Sequence, residues 1–142
     1  TSSFYMKNGT RQCSGLSPYL FSIYMRSITN NVVHSGLGCH IGGMSVCILL
    51  YADDLVILAP TWFAQQKLLN LCNAAVVDLD MKFNTSKSVS MIFVPHKITS
   101  RVSYCFPNFM LNGCALNIVS SYKYLGHVIS PVSDDNLDMR VR

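Results

Sequence analysis

Glutamate is absent from this sequence of 142 residues, so its seven acidic side chains are all aspartates. Charged side chains are scarce in general, at 13% of the residues, whereas 50% of the residues are hydrophobic. This balance provides ample material for a core and excludes a disordered protein. The lack of glutamate also weighs against a metal-dependent nuclease, which needs more acidic ligands than one aspartate pair supplies.

Closely spaced cysteine pairs are missing as well. The six cysteines are Cys13, Cys39, Cys47, Cys72, Cys105 and Cys114. No two of them have the two- to four-residue separation of a zinc knuckle, and the group His34, Cys39, His40 and Cys47 fits no standard zinc pattern. Because no secretory signal sequence precedes them, we expect reduced, mostly buried thiols in an intracellular protein.

No apolar stretch is long enough for a transmembrane helix, because two aspartates divide the longest one. We therefore expect no membrane partner. The net charge of +4 permits a nucleic-acid partner without requiring one. The sequence starts at Thr1 without an initiator methionine and stops at Arg142, soon after Ser133, a candidate helix N-cap. We therefore expect a segment of a longer polypeptide.

The central feature of the sequence is the pair of aspartates within its longest apolar stretch. Residues 46–50 and 55–59 are short apolar runs, which predict two buried strands. The tetrapeptide Tyr51-Ala52-Asp53-Asp54 joins them, so we predict a β-hairpin with both carboxylates at its tip. Neighbouring side chains point apart along a straight strand, whereas a turn lets both reach one side.

Two adjacent carboxylates on a water-poor hairpin would repel each other and lose hydration. A divalent cation would offset both effects, and oxygen ligands completed by water suit Mg²⁺. A solvated turn without any ligand is the alternative, since aspartate is a common turn residue. This window alone leaves both interpretations open.

The remaining sequence alternates helical and extended patterns. Ser17 followed by Pro18 predicts the start of a helix over residues 18–29, with a glycine-rich link over residues 36–43. A second, amphipathic helix is predicted after Pro60. Its apolar positions are Phe63, Leu68, Leu71, Cys72, Ala75, Val76 and Leu79.

Extended segments are predicted over residues 89–94 and 122–130, the latter interrupted at Gly126. Asn8-Gly9 and Asn112-Gly113 predict tight turns of further hairpins. The order of elements predicts an α+β fold, in which helices pack on one face of an antiparallel sheet.

Four stretches, taken in order, resemble the palm of reverse transcriptases, and the Arg-Gln form of the first resembles the non-LTR (LINE-type) retrotransposon branch. They are Arg11-Gln12-x-x-x-Leu16-Ser17-Pro18, Tyr51-Ala52-Asp53-Asp54, Phe83-Asn84-x-x-Lys87 and Tyr124-Leu125-Gly126-His127. The resemblance spans residues 4–130. It implies that residues 1–142 form a partial polymerase palm without the first catalytic strand, the fingers and the thumb.

This resemblance implies RNA-directed DNA synthesis by two-metal nucleotidyl transfer onto a primer 3′ end. The implied partners are an RNA template, a DNA primer, a dNTP and the rest of a polyprotein, located in the nucleus and cytoplasm. Asp53 and Asp54 are implied to be catalytic ligands of two Mg²⁺ ions, and Lys87 is implied to act on the leaving pyrophosphate, unless it is a solvated lysine. The residues implied to contact nucleotide, template or primer are Arg11, Gln12, Ser17, Tyr51, Ala52, Leu125 and Gly126.

Two departures from the family pattern set the remaining expectations. Cys13 stands where the family has a glycine, which adds a side chain beside the nucleotide site. The family also uses a further aspartate on a strand that precedes Asn8. We therefore expect the isolated chain not to polymerise DNA. The alternatives are a non-catalytic nucleic-acid-binding palm remnant, a nuclease built on Asp53 and Asp54, and a folded remnant without function.

Overall fold

A computed structural model of the chain describes residues 17–94 and 106–131. The predicted turn at Asn8-Gly9, the site residues Arg11 and Gln12, and the helix expected from Ser133 lie outside the described residues. The Ser17 side chain is not described either, although its backbone begins the first helix. None of the helices in the described ranges is both long and apolar enough to cross a membrane.

The described part of the chain contains two helices and ten short strands. The helices are α1 (Ser17–His34) and α2 (Trp62–Asp78). The strands are β1 (Cys39–Ile41), β2 (Met44–Val46), β3 (Ile48–Tyr51), β4 (Asp54–Ile57), β5 (Val89–Ser90), β6 (Met110–Leu111), β7 (Cys114–Ala115), β8 (Asn117–Ile118), β9 (Tyr122–Tyr124) and β10 (His127–Ile129). The predicted mixture of helices and strands is confirmed.

The predicted single antiparallel sheet is not formed by the described residues. Their strands make five separate pairs instead. Four pairs are antiparallel, namely β1 with β2, β3 with β4, β6 with β7, and β9 with β10. The pair of β5 with β8 is parallel. The strand predicted over residues 89–94 is only two residues long. The segment 122–130, predicted as one interrupted strand, is a hairpin of β9 and β10.

Helix α1 begins where the sequence predicts but continues five residues beyond the predicted end. The Thr29 hydroxyl donates to the Met25 carbonyl at 2.9 Å, which keeps this residue within the helix. No strong helix breaker occurs before Gly36, whose positive φ of 66° is a conformation that glycine favours. Part of the predicted glycine-rich link is the hairpin β1–β2. The sequence did not reveal it, because its strands are short and mostly exposed.

Helix α2 is confirmed, and both of its ends have recognisable caps. The Thr61 side chain accepts a hydrogen bond from the Ala64 N–H at 3.2 Å. At the other end the Met81 N–H donates to the Val76 carbonyl at 3.0 Å, with Asp80 in the left-handed conformation at φ 55°. This is a Schellman motif, usually built on glycine, here built on aspartate.

Helix α2 lies between two hydrophobic clusters and so organises the core. The larger cluster contains Met25, Ile28, Val32, Cys47, Leu68, Cys72, Ala75 and Val76. The smaller contains Leu69, Phe109, Leu111 and Leu116. Leu68 and Cys72 are buried, as predicted, but Phe63 and Leu71 are exposed. The buried face of α2 includes Leu69 instead, because the helix packs against both clusters.

Of the four cysteines that the structure describes, Cys47 and Cys72 are buried, Cys39 is partly buried and Cys114 is exposed, and all four are free thiols. The expectation of mostly buried thiols therefore holds for half of them. Burial, with a smaller contribution from the neighbouring Cys47, raises the pKa of the Cys72 thiol to about 12. Cys72 stays protonated at neutral pH, so its role is that of a small apolar side chain.

Gln66 on α2 ties the hairpin β6–β7 to the helix through backbone groups. Its carboxamide Nε2 donates to the Met110 carbonyl and its Oε1 accepts from the Met110 N–H, both at 2.8 Å. Nε2 also donates to Asn70 Oδ1 at 2.9 Å, which fixes the orientation of the amide. Gln66 thus binds the Met110 backbone as a second partner strand would, in addition to the pairing of β6 with β7.

We expect Gln66→Ala to lower the free energy of unfolding by about 1 kcal/mol, because two partly exposed hydrogen bonds to one backbone position are lost. Urea denaturation measures this change. Gln65→Ala is the matched control, since it removes a glutamine from the adjacent position of the same helix. Equal stability of the two variants would contradict this role of Gln66.

Candidate functional site

The aspartate pair lies at the tip of the hairpin formed by β3 and β4, as predicted. The register pairs Tyr51 with Asp54, so Ala52 and Asp53 form a two-residue turn. Asp53 therefore lies in the turn itself, whereas Asp54 is the first residue of β4. Both aspartates are exposed to solvent. The tip is open, and a charged ligand has access to both carboxylates.

The strands beside this tip are less buried than predicted. Leu49, Leu50 and Tyr51 are 45%, 37% and 62% exposed. A two-stranded hairpin covers the core with one face, and here Ile48 and Leu55 are among the residues that pack against the larger cluster. The expectation of a water-poor environment around the acids is therefore wrong. The mutual repulsion of two adjacent carboxylates remains as the reason for a cation to bind.

The donor set of the tip suits a hard cation. Two exposed carboxylates supply oxygen ligands, and Mg²⁺ keeps several waters in its shell when few protein groups bind it. Within residues 17–94 and 106–131, no group of three or more His, Cys or Asp side chains is placed to hold a metal. The tip thus offers a pair of ligands that fit Mg²⁺ and leaves room for further oxygen donors.

The backbone at this tip is strained. Ala52 has a φ of 50°, a left-handed conformation that costs a residue with a Cβ about 1 kcal/mol or more. Three other two-residue hairpin turns have a first residue with positive φ, and these residues are Gly42, Asn112 and Leu125. Glycine and asparagine tolerate this conformation, but alanine and leucine do not. Both unfavourable residues belong to the predicted site.

Leu125 and Gly126 form the turn of the hairpin β9–β10, with φ values of 49° and 89°. Leu125 is 47% exposed, so it does not belong to a buried strand, although the sequence predicts an extended segment over residues 122–130. The sequence predicted an interruption at Gly126 but not a complete reversal of the chain, because leucine is rare as the first residue of such a turn. An exposed apolar side chain is therefore held at the tip against its backbone preference.

We expect Leu125→Asn to raise the free energy of unfolding by about 1 kcal/mol, because Asn-Gly is the preferred pair for a two-residue turn of this kind. Asn112→Leu is the matched reverse change, at a turn whose φ values of 50° and 76° are nearly the same. It should lower stability by a similar amount in chemical denaturation. Stability that changes in the same direction for both variants would disprove the strain at Leu125.

Lys87 lies in a loop that Asn84 organises. The Asn84 side-chain oxygen accepts from the Lys87 N–H at 3.3 Å and from the Ser86 hydroxyl at 2.7 Å. The Asn84 carbonyl accepts from the Ser88 N–H at 3.1 Å. Partly buried Phe83 anchors the loop in both hydrophobic clusters, and Lys87 remains exposed. The ordering role of Asn84 was not predicted, although asparagine followed by Thr-Ser is a known turn signal.

The structure brings Tyr51, Ala52, Asp53 and Asp54 together on one hairpin. Lys87 belongs to the loop before β5, and Leu125 with Gly126 to a separate hairpin. Among the described elements, α1 packs against α2, and α2 contacts β6. Smaller contacts join α1 to β3 and α2 to β4, and the hairpin β9–β10 has no contact of this extent with another described element. The described residues thus supply one complete element of the predicted site, while Lys87 and the Leu125–Gly126 turn belong to two separate elements.

Comparison with known proteins gives two matches. The model of the family described as "Reverse transcriptase (RNA-dependent DNA polymerase)" matches residues 1–129, which include every predicted site residue. A curated protein of Drosophila funebris, "RNA-directed DNA polymerase from mobile element jockey", is 28% identical over 131 residues. The aligned region covers 88% of this chain but only 13% of that protein. The chain therefore spans a small part of the length of this relative.

Proposed function

The chain belongs to the reverse transcriptase (RNA-dependent DNA polymerase) family, and on that premise we propose that it forms the palm of a longer polymerase that copies RNA into DNA. The resemblance to the non-LTR retrotransposon branch is confirmed by the family match and the mobile-element relative. By family, the chain is part of an enzyme. The small share of the relative that it covers supports a polyprotein of which this chain is one segment.

The observation that carries the proposal is the open aspartate pair at the β3–β4 tip. Asp53 and Asp54 are the metal ligands, presented at the two-residue turn between β3 and β4. Positioning and charge neutralisation supply most of the rate in phosphoryl transfer, so the protein needs fixed carboxylates more than covalent chemistry. When bound, Mg²⁺ ions neutralise the phosphate charge and activate the primer hydroxyl. By the resemblance, a further aspartate that is not part of this chain would join Asp53 and Asp54 in holding the ions.

The other site residues bind and orient the substrates. Lys87 carries a positive charge on a loop ordered by Asn84 and neutralises the leaving pyrophosphate. Tyr51 and Ala52 contact the primer end from the tip itself. The strained, exposed Leu125 holds the primer strand together with Gly126, since strain of this kind tends to persist at functional positions.

The first helix serves the nucleotide and the template. Its N-terminus at Ser17 points backbone N–H groups towards an anion, which suits a triphosphate. By the resemblance, Arg11 and Gln12 bind the same nucleotide. Cys13, at the family's glycine position, restricts the backbone there and lowers activity.

Primer extension on an RNA template with Mg²⁺ and dNTPs tests the proposal. A polymerase that contains this chain together with its further domains should extend the primer, whereas the isolated 142-residue chain should not. Extension by the isolated chain would refute the need for another carboxylate. Salt-dependent duplex binding that ignores Mg²⁺ and survives Asp53→Asn, without any synthesis by the longer protein, would favour a non-catalytic nucleic-acid-binding palm instead.

A further inference from the structure

The start of α2 exposes two aromatic rings and a cation that the catalytic proposal does not use. Trp62 is 48% exposed and Phe63 is 54% exposed. The exposed Lys67 lies one turn further along the helix, with its Nζ 4.5 Å from the centre of the Phe63 ring. These three residues are named the aromatic–lysine patch below.

The rings of the patch are fixed relative to each other. Trp62 and Phe63 make an edge-to-face contact with ring centres 6.1 Å apart and planes at 84°. The ammonium group of Lys67 lies near the Phe63 ring, which holds both side chains in one place. Because the two rings are already ordered, a ligand that stacks on them loses little additional side-chain entropy.

The charge around the patch decides which ligand it fits. Lys67 is the only basic residue of α2, and its single acidic residue, Asp78, is at the opposite end of the helix. A shallow depression lined by Leu37, Lys67, Asn70 and Leu71 continues from the lysine. Flat aromatic rings beside the single basic side chain of this helix suit a base followed by its phosphate, the combination that binds single-stranded nucleic acid.

We propose that the aromatic–lysine patch binds a single-stranded segment of RNA, with a base stacked on Trp62 or Phe63 and a phosphate at Lys67. The choice of RNA over DNA rests on the proposed function, in which the template is RNA. The patch is distinct from the catalytic tip. Asp53 and Asp54 lie at the tip of the β3–β4 hairpin, whereas the patch belongs to the start of α2, a different element. The proposed strand is therefore template that binds to residues other than the metal ligands.

The single tryptophan of the chain is a built-in probe of this binding. Titration of the full chain with a single-stranded oligouridylate should quench the Trp62 fluorescence in a saturable manner. Phe63→Ala should weaken binding about tenfold, since one stacking partner is lost. Lys67→Gln should weaken binding. It should also reduce the magnitude of the slope of log K against log salt concentration by about 0.7, the value for one phosphate contact on a single strand.

Lys82→Gln is the matched control, because it removes the charge of another exposed lysine beyond the far end of α2. It should leave the affinity and the salt slope unchanged. Circular dichroism and thermal melting establish whether each variant is folded. If Phe63→Ala does not fold, Lys67→Gln still tests the proposal, because it changes only an exposed side chain. RNA binding at the patch should be the same with and without Mg²⁺, whereas DNA synthesis requires Mg²⁺, so a failure of the polymerase proposal is distinguishable from a failure of this one.

Three results would overturn the proposal. The first is an RNA affinity that neither Phe63→Ala nor Lys67→Gln changes. The second is an equal loss of affinity in Lys67→Gln and Lys82→Gln, which indicates a general charge effect. The third is self-association in sedimentation that Phe63→Ala abolishes, together with no quenching by RNA, which would assign the patch to contact between two copies of this chain.

Discussion

Replacing Asp53 with alanine in the longer polymerase should reduce DNA synthesis by about 1,000-fold or more and leave the protein folded. A metal-held phosphate gains several kilocalories per mole of transition-state stabilisation, and each 1.36 kcal/mol corresponds to a tenfold change in rate. Asp53 is exposed in a two-residue turn, so its side chain contributes little to packing. The stability should therefore change by only about 0.5 kcal/mol.

Primer extension measures the rate, and thermal melting with circular dichroism measures the fold. Asp78→Ala is the matched control, because it removes another exposed aspartate at the end of α2. This control should polymerise at the unmodified rate. Undiminished synthesis by a folded Asp53→Ala protein would remove Asp53 from the metal site and with it the central element of the proposed mechanism.

The tip of the β3–β4 hairpin could be predicted from the sequence because two independent signals agree there. Two short apolar runs flank a polar link, and the link has the length of a tight turn. The exposure of the same strands could not be predicted. A continuous apolar run indicates the hydrophobicity of a strand but not how much of each face is covered, and in the described residues the neighbouring Leu49 and Leu50 are both exposed.

The pairing of the remaining strands could not be predicted from the sequence for a related reason. Strands β5 and β8 have two residues each and pair in parallel across a long separation in the chain. Residue propensities carry no information on partners so distant. The reversal at Leu125 was missed because a turn signal normally consists of permissive residues. The turn was missed at Leu125, a residue that two-residue turns disfavour and that is also a predicted site residue. Such disagreement between sequence and local structure is expected at strained functional positions.

The base of the β3–β4 hairpin is held by a close approach between Gly38 and Cys47. Gly38 is buried, and a Cβ at this position would lie 1.8 Å from the Cys47 Cβ and 2.9 Å from its Cα. Beside this contact the Leu58 N–H donates to the Cys47 carbonyl at 2.8 Å and the Cys39 N–H donates to the Leu58 carbonyl at 3.3 Å. These backbone bonds join the hairpins β1–β2 and β3–β4, so Gly38 positions the element that carries the aspartates.

Gly38→Ala should therefore lower the free energy of unfolding by about 3 kcal/mol or more, because the backbone rather than a flexible side chain has to move. Gly36→Ala is the comparison, since a Cβ there meets open space and only the positive φ of 66° opposes it, at about 1 kcal/mol. Chemical denaturation measures both changes. Adding Cys47→Gly to Gly38→Ala removes the nearest clashing atom, so the double variant should lose at least about 1 kcal/mol less than the sum of the single changes. Additive losses, or a Gly38→Ala protein as stable as Gly36→Ala, would show that the hairpins are not held together at this contact.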